Sequence, residues 1–142
     1  MGESKGKNVL DLACGQGYFS RVFNEHGAVV TGVDIAPELI RKAILESKKE
    51  ITYVVSSADN LRGIKDDNFD VVICILALQN IDRVALVFKE CKRVLKEGGA
   101  LHIVLNHPSF RVPQASDWGF DVVKKVQYRK VEKYLHEAKI RI

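Results

Sequence analysis

Apolar positions fall into two rhythms that alternate along the chain. Short runs of nearly continuous apolar residues read as buried strands at residues 8–13, 28–33, 51–55, 69–76 and 100–105. Between them, apolar residues recur at three- and four-residue spacing. Tyr18, Phe19, Val22 and Phe23 share one face of a helix predicted over residues 16–26, with Gly27 as its stop. Pro37 suits the first turn of a second helix that carries Leu39, Ile40, Ala43 and Ile44. Asp82 is the expected N-cap of a third helix bearing Val84, Leu86, Val87, Val94 and Leu95, which Gly98-Gly99 should end. The alternation of strand and helix predicts an α/β fold with a parallel sheet and right-handed crossovers.

After Leu105 the rhythm changes. Residues 106–118 contain Pro108 and Pro113 and read as a loop. Residues 122–138 read as a helix, with Tyr128, Val131, Leu135 and Ala138 on one stripe and Lys124, Lys125, Arg129, Lys130 and Lys133 largely elsewhere. The expected organisation is one domain over residues 1–142, with a core at 1–106 and a loop plus basic helical tail at 107–142.

Composition narrows the class. A chain of 142 residues with 46% hydrophobic and 28% charged residues is neither disordered nor fibrous. The longest apolar run, residues 71–78, has eight residues, against about 20 for a membrane-spanning helix. Residues 1–7 carry no apolar signal-peptide core. Cys14, Cys74 and Cys91 are odd in number and widely spaced, which argues against a disulfide framework and a zinc site. A soluble, cytoplasmic protein with no bound metal and no membrane partner is expected. Residues 1–106 hold 14 basic and 14 acidic residues, while residues 107–142 hold 8 and 4, so the tail carries the whole net charge of +4. Such a tail can hold RNA or an acidic partner, but a solvated helix face is the plainer reading.

The candidate chemistry lies in Val9-Leu10-Asp11-Leu12-Ala13-Cys14-Gly15-Gln16-Gly17, a strand entering a glycine turn before a helix. Glycines there allow a sharp bend and close approach of a ligand. Asp34 closes the second strand, 17 residues after Gly17, where a carboxylate can accept from both hydroxyls of a ribose. A dinucleotide needs a third small residue, and Ser20 stands at that position, but a dinucleotide gives Asp11 no purpose. A nucleoside carrying an ammonium does, because the ammonium wants an anionic neighbour, reached directly or through water.

Residues 9–17 resemble motif I of the class I S-adenosylmethionine-dependent methyltransferases. The similarity continues through Gly32-Val33-Asp34-Ile35, Ser57-Ala58-Asp59-Asn60-Leu61, Phe69-Asp70-Val71-Val72-Ile73-Cys74 and Arg93-Val94-Leu95-Lys96-Glu97-Gly98-Gly99-Ala100-Leu101. Five ordered matches over residues 8–106 are far more specific than one glycine loop. The resemblance implies a Rossmann-like, doubly wound sheet in the order 3-2-1-4-5 and S-adenosylmethionine as cofactor. It implies that Asp11 and Ala13 lie beside the cofactor and that Gly15 and Gly17 pass under its methionine and ribose. Asp34 would bind the ribose hydroxyls, Ile35 would pack on the adenine, and Ala58 would offer its N–H to the ring. The turn at Cys74-Ile75 would face the methionine arm.

The chain departs from the family pattern in three places. Ser57 stands where the family often has an aspartate for the adenine amino group, with Asp59 two residues on, so either could take that contact. Few residues precede the first strand, where the family has covering helices. No convincing sixth and seventh strands are visible after residue 106, so a shortened member is expected, with an exposed sheet edge that a homodimer, or the tail folded over it, would cover.

Asp70 reads as structural, Cys14 and Cys74 as small packing residues, and His102 as a strand histidine. Residues 106–110 superficially resemble an amino-methyltransferase motif, but at the wrong strand. Phe110, Trp118 and Phe120 could line an acceptor pocket or staple a loop. The expected activity is methyl transfer to an unidentified acceptor, a small molecule by preference, with RNA or protein as other options. Aligned in-line attack needs no dedicated base, and His107 is the one candidate if the acceptor must lose a proton. The rivals are a non-catalytic cofactor-binding or interaction domain and a nicotinamide-dependent oxidoreductase.

Overall fold

The structure, a computed structural model, describes residues 4–107 and 116–131. Contacts divide the chain into two compact units, residues 1–105 and 106–142.

In the first unit, β1 (Asn8–Leu12), β2 (Val29–Asp34), β3 (Thr52–Val55), β4 (Phe69–Ile75) and β5 (Leu95–Val104) form one sheet in the order β3-β2-β1-β4-β5. Every pairing is parallel. The helices α1 (Tyr18–Glu25), α2 (Pro37–Glu46) and α3 (Val84–Val94) are crossovers between strands. Because side chains alternate across a strand, β1 feeds two cores. Leu10 and Leu12 join Val72, Cys74, Val87, Cys91 and Val94 on the α3 side. Val9 joins Val30, Ile51 and Ile73 on the other, with Phe23 of α1 packed against them. That two-sided burial is why the central strands read as continuous apolar runs.

Two start and stop signals act as expected: Pro37 opens α2, and Gly27, in the left-handed region, follows the end of α1. Two others differ. Asp82 does not cap α3; Arg83 holds that position without a side-chain cap bond. Gly98-Gly99 does not end α3, which stops at Val94, but lies within β5. Leu95 pairs with Phe69, the chain then bulges, and the ladder resumes at Ala100 opposite Val71. Gly98, at φ 74°, supplies the left-handed residue that the excursion requires.

Asp70, at the start of β4, accepts from the Asn8 N–H at 2.8 Å and from Lys96 Nζ at 2.8 Å. Its role is structural. Arg93, near the end of α3, donates to the carbonyls of Leu61 and Ile64 and to Glu90 and Asp66. It thereby ties the connection before β4 to the helix.

Among the described residues, β5 has β4 on one side and no strand on the other, at the edge of the sheet. Beside it, the face away from α3 carries an apolar groove of about 550 Å³ lined by Val9, Val71, Ile73, Ile75, His102 and Val104. His102 is thus an exposed strand residue on an apolar face.

The second unit corrects the reading of the tail. Residues expected as loop end and helix instead form an antiparallel pair, β6 (Ser116–Asp121) and β7 (Val126–Val131), joined by a turn. Asp121 Oδ1 accepts from the N–H groups of Val123 and Lys124, both at 2.9 Å. This bond pattern turns the chain where a helix would have continued. The remainder of the expected helix, residues 132–138, lies outside the described residues, as do Pro108, Phe110 and Pro113. Trp118 and Phe120 are both 59% exposed, and the Arg129 guanidinium sits 5.3 Å from the Trp118 ring centre. No helix among the described residues is long and apolar enough to cross a membrane.

Candidate functional site

The turn after β1 is built from left-handed residues: Ala13 at φ 59°, Gly15 at 56° and Gly17 at 78°. It folds back on the end of β2, where Cys14 N–H donates to the Val33 carbonyl at 2.9 Å and Gly15 N–H to Asp34 Oδ2 at 2.9 Å. The two glycines serve different ends. At Gly15 a Cβ would meet open space, whereas at Gly17 it would overlap the Tyr53 hydroxyl. Ala13 carries the strain of a left-handed non-glycine, and so does Leu76 at φ 55°, just past β4. Each costs on the order of 1 kcal/mol, and such strain clusters at functional sites. Here both residues follow the carboxyl ends of adjacent central strands, where ligands bind in open α/β sheets.

Asp34 ends β2 with its carboxylate largely buried. Its Oδ2 takes Gly15 N–H, and its Oδ1 takes Ala36 N–H at 2.9 Å. Each oxygen retains acceptor capacity, and the residue lines a cleft of about 290 Å³. Ala13, Ile35, Ser57, Ala58 and Asp59 line the same cleft. Ile35 is 70% exposed there, an apolar surface suited to the face of a flat ring.

Asp11 lies in the interior near the turn. Ser20 Oγ donates to its Oδ2 at 2.6 Å, and no cation pairs with it among the described residues. Burial pushes its carboxyl up to about 6; the Ser20 bonds offset part of the rise, and the Asp34 charge adds to it. Cys14 and Cys74 are pushed upward by burial, away from thiolate chemistry, and act as packing residues.

At the opposite wall, Ser57 Oγ donates to Asp59 Oδ1 at 2.5 Å. Asp59 Oδ2 takes Arg83 Nε at 2.7 Å. Arg83, Asn80 and Ile81 also line the cleft. The sequence offered little sign of them, since the stretch between Leu76 and α3 has no regular period. Ser20 was visible as a small residue, but its bond to Asp11 depends on α1 packing across β1.

Not every expected residue reaches the cleft. Gly17 faces Tyr53. Cys74 packs into the α3-side core and Ile75 into the apolar groove, so neither lines the cleft, because both strand faces are already buried there.

A sequence-family model described as a methyltransferase domain matches residues 10–103. The chain belongs to this family. A ubiquinone biosynthesis O-methyltransferase of Xanthomonas oryzae pv. oryzae is 37% identical over 101 residues, covering 69% of this chain and 42% of that protein. A protein of the same name from Idiomarina loihiensis is 37% identical over 99 residues, covering 68% and 41%. The methyltransferase domain here therefore spans about two-fifths of the length of the curated relatives it matches. Among solved structures, an S-adenosylmethionine-dependent methyltransferase from Mesorhizobium loti superposes with a TM-score of 0.83 at 30% identity, covering 96% of this chain and 62% of that one. Another, from Listeria monocytogenes, gives 0.75 at 28%, covering 97% and 65%. Both carry the fold of the methyltransferase domain described above.

Proposed function

We propose that the domain binds S-adenosylmethionine and transfers its methyl group to an oxygen of a small-molecule acceptor. The pair of buried carboxylates around the glycine turn carries this reading: Asp34 on the cleft, and Asp11 inside, with no cation paired to it among the described residues. Asp34 keeps acceptor positions for two ribose hydroxyls, and an interior anion without a counter-charge favours a ligand with a cationic arm. The names of the O-methyltransferase relatives support oxygen as the accepting atom and a small molecule as acceptor.

When bound, the cofactor supplies a methyl on a sulfonium, open to in-line attack. The protein then has to bind and align. Asp34 anchors the ribose and, through its bond to Gly15 N–H, fixes the turn beside it. Ala13 and Gly15 bring backbone close to the ligand, Ile35 packs on the base, and Ala58 offers its N–H to the ring edge. Asp11 answers the ammonium charge. Good alignment supplies about 7–11 kcal/mol of a barrier, so an acceptor that is already nucleophilic needs no general base from this domain.

Calorimetric titration with S-adenosylhomocysteine tests the reading. The intact chain should bind, and Asp34→Ala should lose roughly 1.5–3 kcal/mol for its charge-assisted hydrogen bonds. A folded protein that shows no binding heat, or an Asp34→Ala variant that binds unchanged, rejects it.

A further inference from the structure

The turn between β6 and β7 is made of residues that turns rarely use. Tight turns are ordinarily built from Gly, Asn, Asp, Pro or Ser, whereas residues 122–125 are Val-Val-Lys-Lys. Val122 is 79% exposed and Val123 92% exposed. Lys125 takes a left-handed backbone at φ 52°, which glycine would adopt without strain. Local folding does not call for these side chains, because Asp121 closes the turn by accepting the N–H groups of Val123 and Lys124. They form an apolar and cationic apex turned to solvent.

The residues behind the apex continue the pattern. By the pairing register, Phe120 and Val126 lie on opposite faces of the hairpin, and both are exposed. Further from the turn, Trp118 and Tyr128 again take opposite faces and are also exposed. Tyr128 lies across Gly119, where a Cβ would overlap its ring, and Arg129 stacks on Trp118. Aliphatic residues thus sit foremost, with amphipathic aromatics behind them on both faces. That is the order of a segment dipping into a lipid interface, where Trp and Tyr settle at the headgroups and lysine stems reach back to water. Single-stranded RNA calls instead for rings along one face, and an aliphatic apex gives bases nothing to stack on. Residues 116–131 hold four basic residues against two acids, and both acids, Asp117 and Asp121, accept from backbone N–H groups.

We propose that the β6–β7 hairpin docks the protein on an anionic membrane surface, with Val122 and Val123 entering the interface and Lys124 and Lys125 meeting the headgroups. The expectation of no membrane partner rests on the lack of a spanning segment, which bears on crossing a bilayer and not on resting against one.

Trp118 is the chain's single tryptophan, so its fluorescence reads the hairpin directly. The full chain is sedimented with vesicles of phosphatidylcholine alone, or of phosphatidylcholine mixed with phosphatidylglycerol. It should co-sediment with the anionic vesicles, with blue-shifted emission and a partition that falls as salt rises. Val122→Ser combined with Val123→Ser should lower the partition by about ten-fold or more and remove the blue shift. Lys124→Gln combined with Lys125→Gln should lower it by roughly twenty-fold. All four side chains are exposed, and unchanged circular dichroism confirms that each variant folds. No sedimentation with anionic vesicles overturns the proposal. So does sedimentation that the valine pair leaves unchanged, since the apex would then not enter the interface. Binding of oligouridine that the lysine pair abolishes, with no vesicle binding, assigns the hairpin to single-stranded RNA instead.

Discussion

A buried carboxyl without a counter-ion prefers to stay protonated, and Asp11, which no cation pairs among the described residues, has its pKa moved from 3.8 to about 6. The unfolded chain releases this proton before the folded one does. Stability contributed by the protonated group is therefore full below about pH 4 and is lost as pH rises through about 6. The loss is on the order of 3 kcal/mol. Asp11→Asn keeps an acceptor for Ser20 and removes the charge. Without ligand, the variant should be more stable than the wild type by roughly 1–3 kcal/mol at pH 8, and the gain should shrink at pH 4.5. Melting curves at the two pH values decide this, and an equal effect at both would count against the burial account. Ligand binding should show the opposite sign. A cationic arm favours the ionised form, so affinity for S-adenosylhomocysteine should fall as pH drops below about 6 in the wild type. In Asp11→Asn it should be weaker and flatter. The sequence marked Asp11 as an acid suited to an ammonium neighbour, but that no cation pairs with it among the described residues became visible only once the fold had placed the neighbours.

Between β1 and α1, the turn uses its two glycines differently. Gly15→Ala would carry only the strain of a left-handed residue in open space, on the order of 1 kcal/mol. Gly17→Ala carries the same strain and also drives a methyl into Tyr53. It should cost about 2–4 kcal/mol, read as a fall in urea midpoint with little change in slope. Equal losses would show that Tyr53 yields without cost. The glycine pattern was legible in the chain; the Tyr53 contact was not, because it joins residues 36 positions apart through α2 and β3. The hairpin was hidden for a different reason. Tyr128 and Val131 fit a helical stripe, and Lys125 turns the chain at φ 52° without the glycine or asparagine that usually signals such a turn. Asp121 was the available clue, and its side-chain bonds to Val123 and Lys124 compete with a helix.

For the whole molecule, the division at Leu105 separates what was readable from what was not. The first unit is a repeated βα pattern whose buried strands and amphipathic helices announce themselves locally, and a parallel sheet leaves few ways to order them. The described cleft residues all fall between Ala13 and Arg83. No described cleft residue belongs to the second unit, so a chain ending at Leu105 should bind S-adenosylhomocysteine within about two-fold of the full chain. A larger loss by calorimetry would assign part of the site to later residues. The edge position of β5 has a further consequence. Val104 turns its carbonyl toward β4, accepting from Leu76 N–H at 2.8 Å. In a parallel ladder alternate residues point to alternate sides, so the amides of Leu101 and Ile103 point away from β4. Their side chains meanwhile pack against the α3-side core. In deuterated solvent these two amides should exchange far faster than those of His102 and Val104, giving a strand protected at every second residue.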